Sequence, residues 1–280
     1  MDETFESYIQ NRLALFTEWE TSVEYKNHCS LLSAAAANLL RIGEHYISCC
    51  VELRSNTVVR TEIATDSGMH RGFYCPSLIE DIVVGNAHRG RLLKRLSPKR
   101  KWYFVYGFDR DNRLILSQMF YNGKLSQEEY LVYDGDRVYG ITQDSEGRLI
   151  HVASETYLRG KIMCYERAEI TPWGGKCNYM CREEYIYATD RLEVCHSHEF
   201  RPKCQDETGI FEKFLFNNDS DAIGAYLKDN LARDSYRKSR YTFAWNEDCM
   251  TGYLAEDIIG ANDEIVTCSH FYNIKPKENP

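Results

Sequence analysis

At 280 residues the chain can bury a large core, and 43% hydrophobic content with 20 Tyr, 12 Phe and only 6 Pro excludes an intrinsically disordered polymer. The apolar run around Leu31 to Leu40 is broken by Ser33 and Asn38 and is too short for a membrane span, and Met1-Asp2-Glu3-Thr4 does not begin a secretory signal, so a cytoplasmic location is expected. A net charge of −8 disfavours nucleic acid or membrane as a partner and favours a basic protein, drawn in by long-range steering.

Residues 1–56 carry helical periodicity. Phe5, Tyr8, Ile9, Leu13 and Phe16 can share one face, and Asn27 or Ser30 is expected to cap a second helix that runs through Ala34–Ala37 to about Ile47. Four consecutive alanines favour helix and permit close approach to a neighbour. This zone is expected to form a helical hairpin packed on a sheet.

Residues 57–216 change to strand patterning. Val58 to Ile63 reads as a strand, Asp66-Ser67-Gly68 as a loop, and Ser77 to Val84 as either a short helix or a strand. Arg89 to Lys101 holds seven cations and no acid, which leaves fifteen net negative charges on the rest of the chain. No aromatic residue lies inside this basic cluster to stack on a base, so it reads as a solvated loop or an internal partner for acidic residues.

Aromatic-rich runs follow: Trp102–Tyr106, Leu114–Leu116, Tyr130–Tyr133, Arg148–Val152 and Tyr185–Tyr187. Turn signals separate them at Asp111-Asn112, Asn122-Gly123, Asp134-Gly135, Glu146-Gly147, Arg159-Gly160 and Gly174-Gly175. Short strands broken at such intervals are what consecutive hairpins produce, and the spacing predicts about seven or more antiparallel strands between Lys101 and His198.

Residues 217–280 are expected to form a C-terminal α/β cap. Asp219-Ser220-Asp221 can start a helix continued by Ile223, Tyr226, Leu227 and Leu231. Tyr241–Trp245 reads as a strand, Leu254–Ile259 as a short helix or turn, and Glu264–Tyr272 as a terminal strand. The expected fold class is therefore α+β: one compact domain built on a large antiparallel β-meander, with an N-terminal helical hairpin and a C-terminal helix packed on it.

No nucleophile elbow or phosphate-binding loop is present, and no cofactor is expected. The densest metal-ligating set, Cys177, Cys181, Cys195, His196, His198 and Cys204, lies within 28 residues and offers a zinc- or thiol-dependent enzyme as an alternative reading. Strand alternation turns His196 and His198 to one face and Cys195 to the other. All 11 cysteines are expected to be reduced thiols. Glu128-Glu129 and Glu183-Glu184 read as edge-strand acids that maintain solubility.

Tyr106-Gly107-Phe108-Asp109 with Asn112-Arg113-Leu114, Tyr133-Asp134-Gly135 with Asp136-Arg137-Val138, and Glu146-Gly147-Arg148-Leu149 resemble the YD-type repeats of bacterial Rhs proteins over about a third of the chain. A compact chain with helices at one end and such a meander is similar to the immunity proteins of bacterial polymorphic toxins. The resemblance implies a non-enzymatic protein that covers one cognate toxin domain, here a basic one. Acid and aromatic groups on the meander would bind it, and Asp109, Asp111, Glu128, Tyr130, Asp134, Asp136 and Glu146 are the candidate positions. A structural β-repeat module is a third reading.

Overall fold

The computed structural model describes residues 15, 17–65, 77–83, 92–170, 177–202, 235–247, 249–260 and 265–273. Thirteen described strands form one open antiparallel sheet. Its first part comprises β1 (Arg60–Ala64), β2 (Leu92–Leu93), β3 (Trp102–Phe108), β4 (Leu114–Tyr121), β5 (Lys124–Asp134), β6 (Arg137–Asp144) and β7 (Leu149–Leu158). It continues as β8 (Lys161–Ile170), β9 (Cys177–Ala188), β10 (Arg191–Arg201), β11 (Ser235–Asn246), β12 (Cys249–Ile259) and β13 (Ile265–Asn273). From β3 to β13 every strand pairs with its sequence neighbours, while β1 inserts between β2 and β3.

Local turn chemistry sets this order. Asn122-Gly123 and Arg159-Gly160 form two-residue loops with positive φ at both positions (50° and 75°; 52° and 77°), the backbone twist that matches tight hairpins. Two wider turns share one design. In Asp109–Arg113 and Asp144–Arg148 the first residue is an aspartate, the fourth has positive φ (Asn112 62°, Gly147 79°) and the fifth is arginine. Asp109 Oδ1 accepts the N–H groups of Asp111 (3.0 Å) and Arg113 (2.8 Å), and Asp144 Oδ1 accepts those of Glu146 (2.9 Å) and Arg148 (3.0 Å). The second oxygen takes the arginine Nε at 2.8 and 2.7 Å, so each carboxylate ties its turn together.

Helix α1 (Val23–Asn56) lies across β6 to β11. Ser22 caps it, because its Oγ accepts the Tyr25 N–H at 3.0 Å. The cap therefore lies upstream of Asn27 and Ser30, both of which sit within the helix. Tyr25, Cys29, Leu32, Ala36, Leu39, Gly43, Tyr46 and Cys50 recur at alternating intervals of four and three, which places them on one stripe toward the sheet. A Cβ at Gly43 would collide with Val152 and Leu149, so the missing side chain is what allows the helix to approach β7.

Beneath the helix one rung of paired residues runs through Leu116, Tyr130, Ile141, Val152, Ala168, Met180, Phe200 and Tyr236, all buried. The opposite face carries a second core of Tyr165, Cys181, Tyr185, Cys195, Phe243 and Tyr253. A short helix, α2 (Leu78–Val83), docks there and resolves the ambiguity of the 77–84 segment in favour of helix.

One expectation changes. Leu254–Ile259 belongs to strand β12, which is paired with β11 on one side and β13 on the other, and that pairing satisfies its backbone without a helix. Strands β11 to β13 continue the same sheet. The first helical arm (Phe5 to Leu13, with Phe16), the Asp66–Gly68 loop, the Gly174-Gly175 turn, the Asp219–Leu231 helix and Cys204 lie outside the described residues. Among the described residues no helix is long and apolar enough to cross a membrane.

Candidate functional site

Hairpin connectivity divides the turns between two ends of the sheet. One end carries the turns β3–β4, β5–β6, β7–β8, β9–β10 and β11–β12, and the other carries β4–β5 and β6–β7. At the first end an open groove of about 490 Å³ is lined by Thr57, Asp109, Asp111, Arg113, Val132 and Tyr133, among others. Its walls are fixed. Arg113 pairs with Asp109 and with Asp111 (3.3 Å), its guanidinium lies 5.2 Å from the Tyr133 ring centre, and the Tyr133 hydroxyl donates to the Leu114 carbonyl at 2.9 Å.

The groove's electrostatics follow from these contacts. Partial burial alone would raise the Asp109 carboxyl, but hydrogen bonds from the Arg113 backbone and side chain outweigh that and hold it below its ordinary value. Desolvation pushes the Tyr133 phenol up to about 12, so it stays protonated and keeps its bond to the Leu114 carbonyl. Beside the groove, the two-residue Gly135-Asp136 loop carries the exposed acids Asp134 and Asp136. The groove thus combines a rigid aromatic wall, a fixed guanidinium and exposed carboxylates, a surface able to engage a cation or a basic side chain.

The seven residues proposed as a binding set do not form one patch. Asp109, Asp111, Asp134 and Asp136 gather at the groove end, whereas Glu146 lies in the β6–β7 turn at the opposite end. Glu128 and Tyr130 are buried on the helix-covered face, where the Tyr130 hydroxyl donates to Glu128 Oε1 at 2.6 Å and Gln118 Nε2 donates to Oε2 at 2.9 Å. The metal-ligating set is divided as well. Cys181 and Cys195 belong to the core under α2, while Cys177 packs with the core under α1 and His198 meets Tyr236 on that face, its Nδ1 2.7 Å from the Tyr236 hydroxyl. Among the described residues no group of three or more Cys, His, Asp or Glu is placed to hold a metal ion. The eight described cysteines with placed side chains are free thiols.

Glu128, Glu129 and Glu183 correct the edge-strand reading, because they lie on the interior strands β5 and β9 and are buried. Three strands carry the same Glu-x-Tyr device. Tyr157 donates to Glu155 at 2.6 Å, as Tyr130 does to Glu128, and Tyr185 likewise donates to Glu183. Ser77 Oγ also donates to both Glu183 oxygens (2.8 and 3.0 Å), and the Leu78 N–H donates to the Tyr185 hydroxyl (3.1 Å). Arg167 on β8 pairs with Glu80 of α2 at 2.9 Å. These contacts pin α2 to the face. Burial pushes the Glu183 carboxyl up to about 7, against the lowering pull of its hydrogen bonds from Tyr185 and Ser77. The recurring Glu-x-Tyr spacing was visible in the sequence, but an acid on a strand reads as solvent-facing until both faces are known to be covered.

No protein-family model matches the chain, and no curated protein matches it significantly.

Proposed function

We propose that this chain is a non-enzymatic binding protein, most specifically an immunity protein that neutralises a cognate, basic bacterial toxin domain. The observation that carries the reading is the groove end, where Tyr133, Arg113 and Asp109 are held rigid by the fold while Asp111, Asp134 and Asp136 remain exposed. A pre-organised wall lowers the entropy cost of docking, and exposed carboxylates beside it speed the encounter with a basic surface. The thiols give the enzyme alternative little support. Burial pushes the thiols of Cys177, Cys181 and Cys195, the described cysteines of the metal-ligating set, above their ordinary value, which keeps them protonated and poorly nucleophilic.

Coexpression with the toxin domain encoded immediately upstream of its gene is the direct test. Growth should be restored, and purified toxin domain and chain should form a stable complex. Continued growth arrest together with no complex would sink the reading.

One observation favours the β-repeat alternative. Edge strand β13 is nine residues long, contains no charged residue or proline, and exposes Val266, Phe271 and Tyr272, a template for strand addition. Concentration-dependent oligomers in sedimentation would support that module reading, and a monomer across the accessible range would remove it.

A further inference from the structure

Outside the groove, several of the sheet's arginines are neutralised within the fold. Arg60 meets Glu62, Arg148 meets Asp144 and Glu146, Arg182 meets Glu166 and Glu184, Arg237 meets Asp257, and Arg240 meets Glu256. The corner at the opposite end of the sheet from the groove breaks that pattern. Lys99, Arg100 and Lys101 occupy the connection from β2 to β3, Lys124 begins β5, and all four are exposed with no ion-pair partner among the described residues. Backbone bonds shape the connection, since Arg100 N–H donates to Ser97 O (3.0 Å) and Asn122 N–H donates to Lys101 O (2.8 Å), which ties the basic connection to the β4–β5 turn.

Two aromatic rings stand at the same place. Trp102 and Tyr121 are a cross-strand pair whose ring centres lie 4.3 Å apart, yet they remain 46% and 41% exposed. No residue of the basic run itself is aromatic, but pairing β3 with β4 sets Trp102, which directly follows Lys101, opposite Tyr121, and Tyr121 in turn pairs with Lys124. One of the two sequence grounds against nucleic acid therefore lapses. The other, overall acidity, weakens with distance, because solution ions screen exposed charges beyond about 8 Å at physiological salt. The nearest turn on this end, Asp144–Arg148, carries its own arginine between its acids.

We propose that this basic–aromatic corner is a binding site for single-stranded nucleic acid, separate from the groove and independent of the toxin-binding reading. The cations neutralise successive phosphates, and the Trp102–Tyr121 pair supplies a platform on which an unpaired base stacks. Duplex is disfavoured because its bases are already stacked and cannot reach the rings.

Fluorescence anisotropy of the full chain with labelled oligo-dT and oligo-U of about twelve nucleotides tests this at about 50 mM salt. Either oligomer should bind and quench tryptophan emission, with a log K against log salt slope of about −3, as four phosphate contacts imply. Trp102→Ala should weaken binding about tenfold with an unchanged melting temperature, and K99E/R100E should abolish it. No anisotropy change for either oligomer at low salt would overturn the proposal. So would equal competition by inorganic polyphosphate together with undiminished binding by the Trp102→Ala variant, a result that would leave only a polyanion patch suited to an acidic protein.

Discussion

The two faces of the sheet are buried by different means. Under α1 the central rung is aliphatic and aromatic from Leu116 to Phe200, with the Glu128 carboxylate beside it held by Tyr130 and Gln118, and the helix meets it with a stripe of small and apolar side chains. Under α2 the buried side chains include Glu155, Glu183 and Tyr165, and Ser77, Leu78 and Glu80 hold the short helix through polar contacts to Glu183, Tyr185 and Arg167. An apolar face is stabilised chiefly by the area it buries. A polar face fixes one position, since each buried carboxylate costs free energy unless its own donor is present. The helix-covered face therefore supplies most of the stability, and the other supplies the register of its cover.

The largest effect should come from the apolar face. Phe200 is 2% exposed between Met180 and Tyr236, and Phe200→Ala should cost about 3–5 kcal/mol through lost burial and a cavity. Tyr185→Phe on the other face removes only an oxygen, but strips a donor from Glu183 and an acceptor from the Leu78 N–H, and should cost about 1–3 kcal/mol. Urea unfolding measures both. Equal losses would break the distinction between the faces.

Titration sharpens the contrast. Burial holds Glu183 neutral up to about 7, above its ordinary 4.5, while on the α1 face it lowers His198 from 6.5 to about 4. For Glu183 the unfolded chain loses the proton first, so stability falls as pH rises from about 4.5 to 7. For His198 the unfolded chain gains the proton first, so stability falls as pH drops from about 6.5 to 4. Each term is worth up to about 3 kcal/mol, and the two slopes oppose each other between them. Glu183→Gln should leave stability rising with pH across that window, and His198→Gln should leave it falling. A parallel response of the two variants would show that these groups do not govern the pH dependence.

The meander was legible because its determinants are local: Asn122-Gly123 and Arg159-Gly160 specify hairpins within four residues. The α1 stripe was written with Cys29, Ala36, Gly43 and Cys50, types that register weakly as apolar, so the helix was placed but its buried face and Ser22 cap were not. The groove was half legible. Asp109, Asp111, Asp134 and Asp136 do share an end, but strand direction sends Glu146 to the other, and that parity emerges only when every strand between is counted. Glu183 was hidden because Ser77, just ahead of α2, reaches it from 106 residues away, a contact that no local pattern encodes.

The turns belong to neither face and should be indifferent to the difference between them. Asp109→Ala and Asp144→Ala each remove three hydrogen bonds from equivalent turns at opposite ends, so each should cost about 1–2 kcal/mol. The double variant should show the sum, since the sites share no partner. A double-variant loss well away from that sum would mean that the two ends communicate through the sheet.

The smallest stability effect is expected where the functional effect is sought. Asp134 and Asp136 flank the tightest part of the β5–β6 turn and are exposed, so D134K/D136K should move unfolding free energy by no more than about 0.5 kcal/mol. Asp109, by contrast, spends its carboxylate inside its own turn, and removing it would confuse lost binding with lost structure. Charge reversal at Asp134 and Asp136 should slow association with a basic partner severalfold at low salt and progressively less as salt rises, while dissociation, governed by the rigid Tyr133 wall, changes little. Stopped-flow association at two ionic strengths separates the outcomes. An association rate indifferent to the reversal at low salt would confine these carboxylates to keeping the turn solvated and move any basic partner away from this end of the sheet.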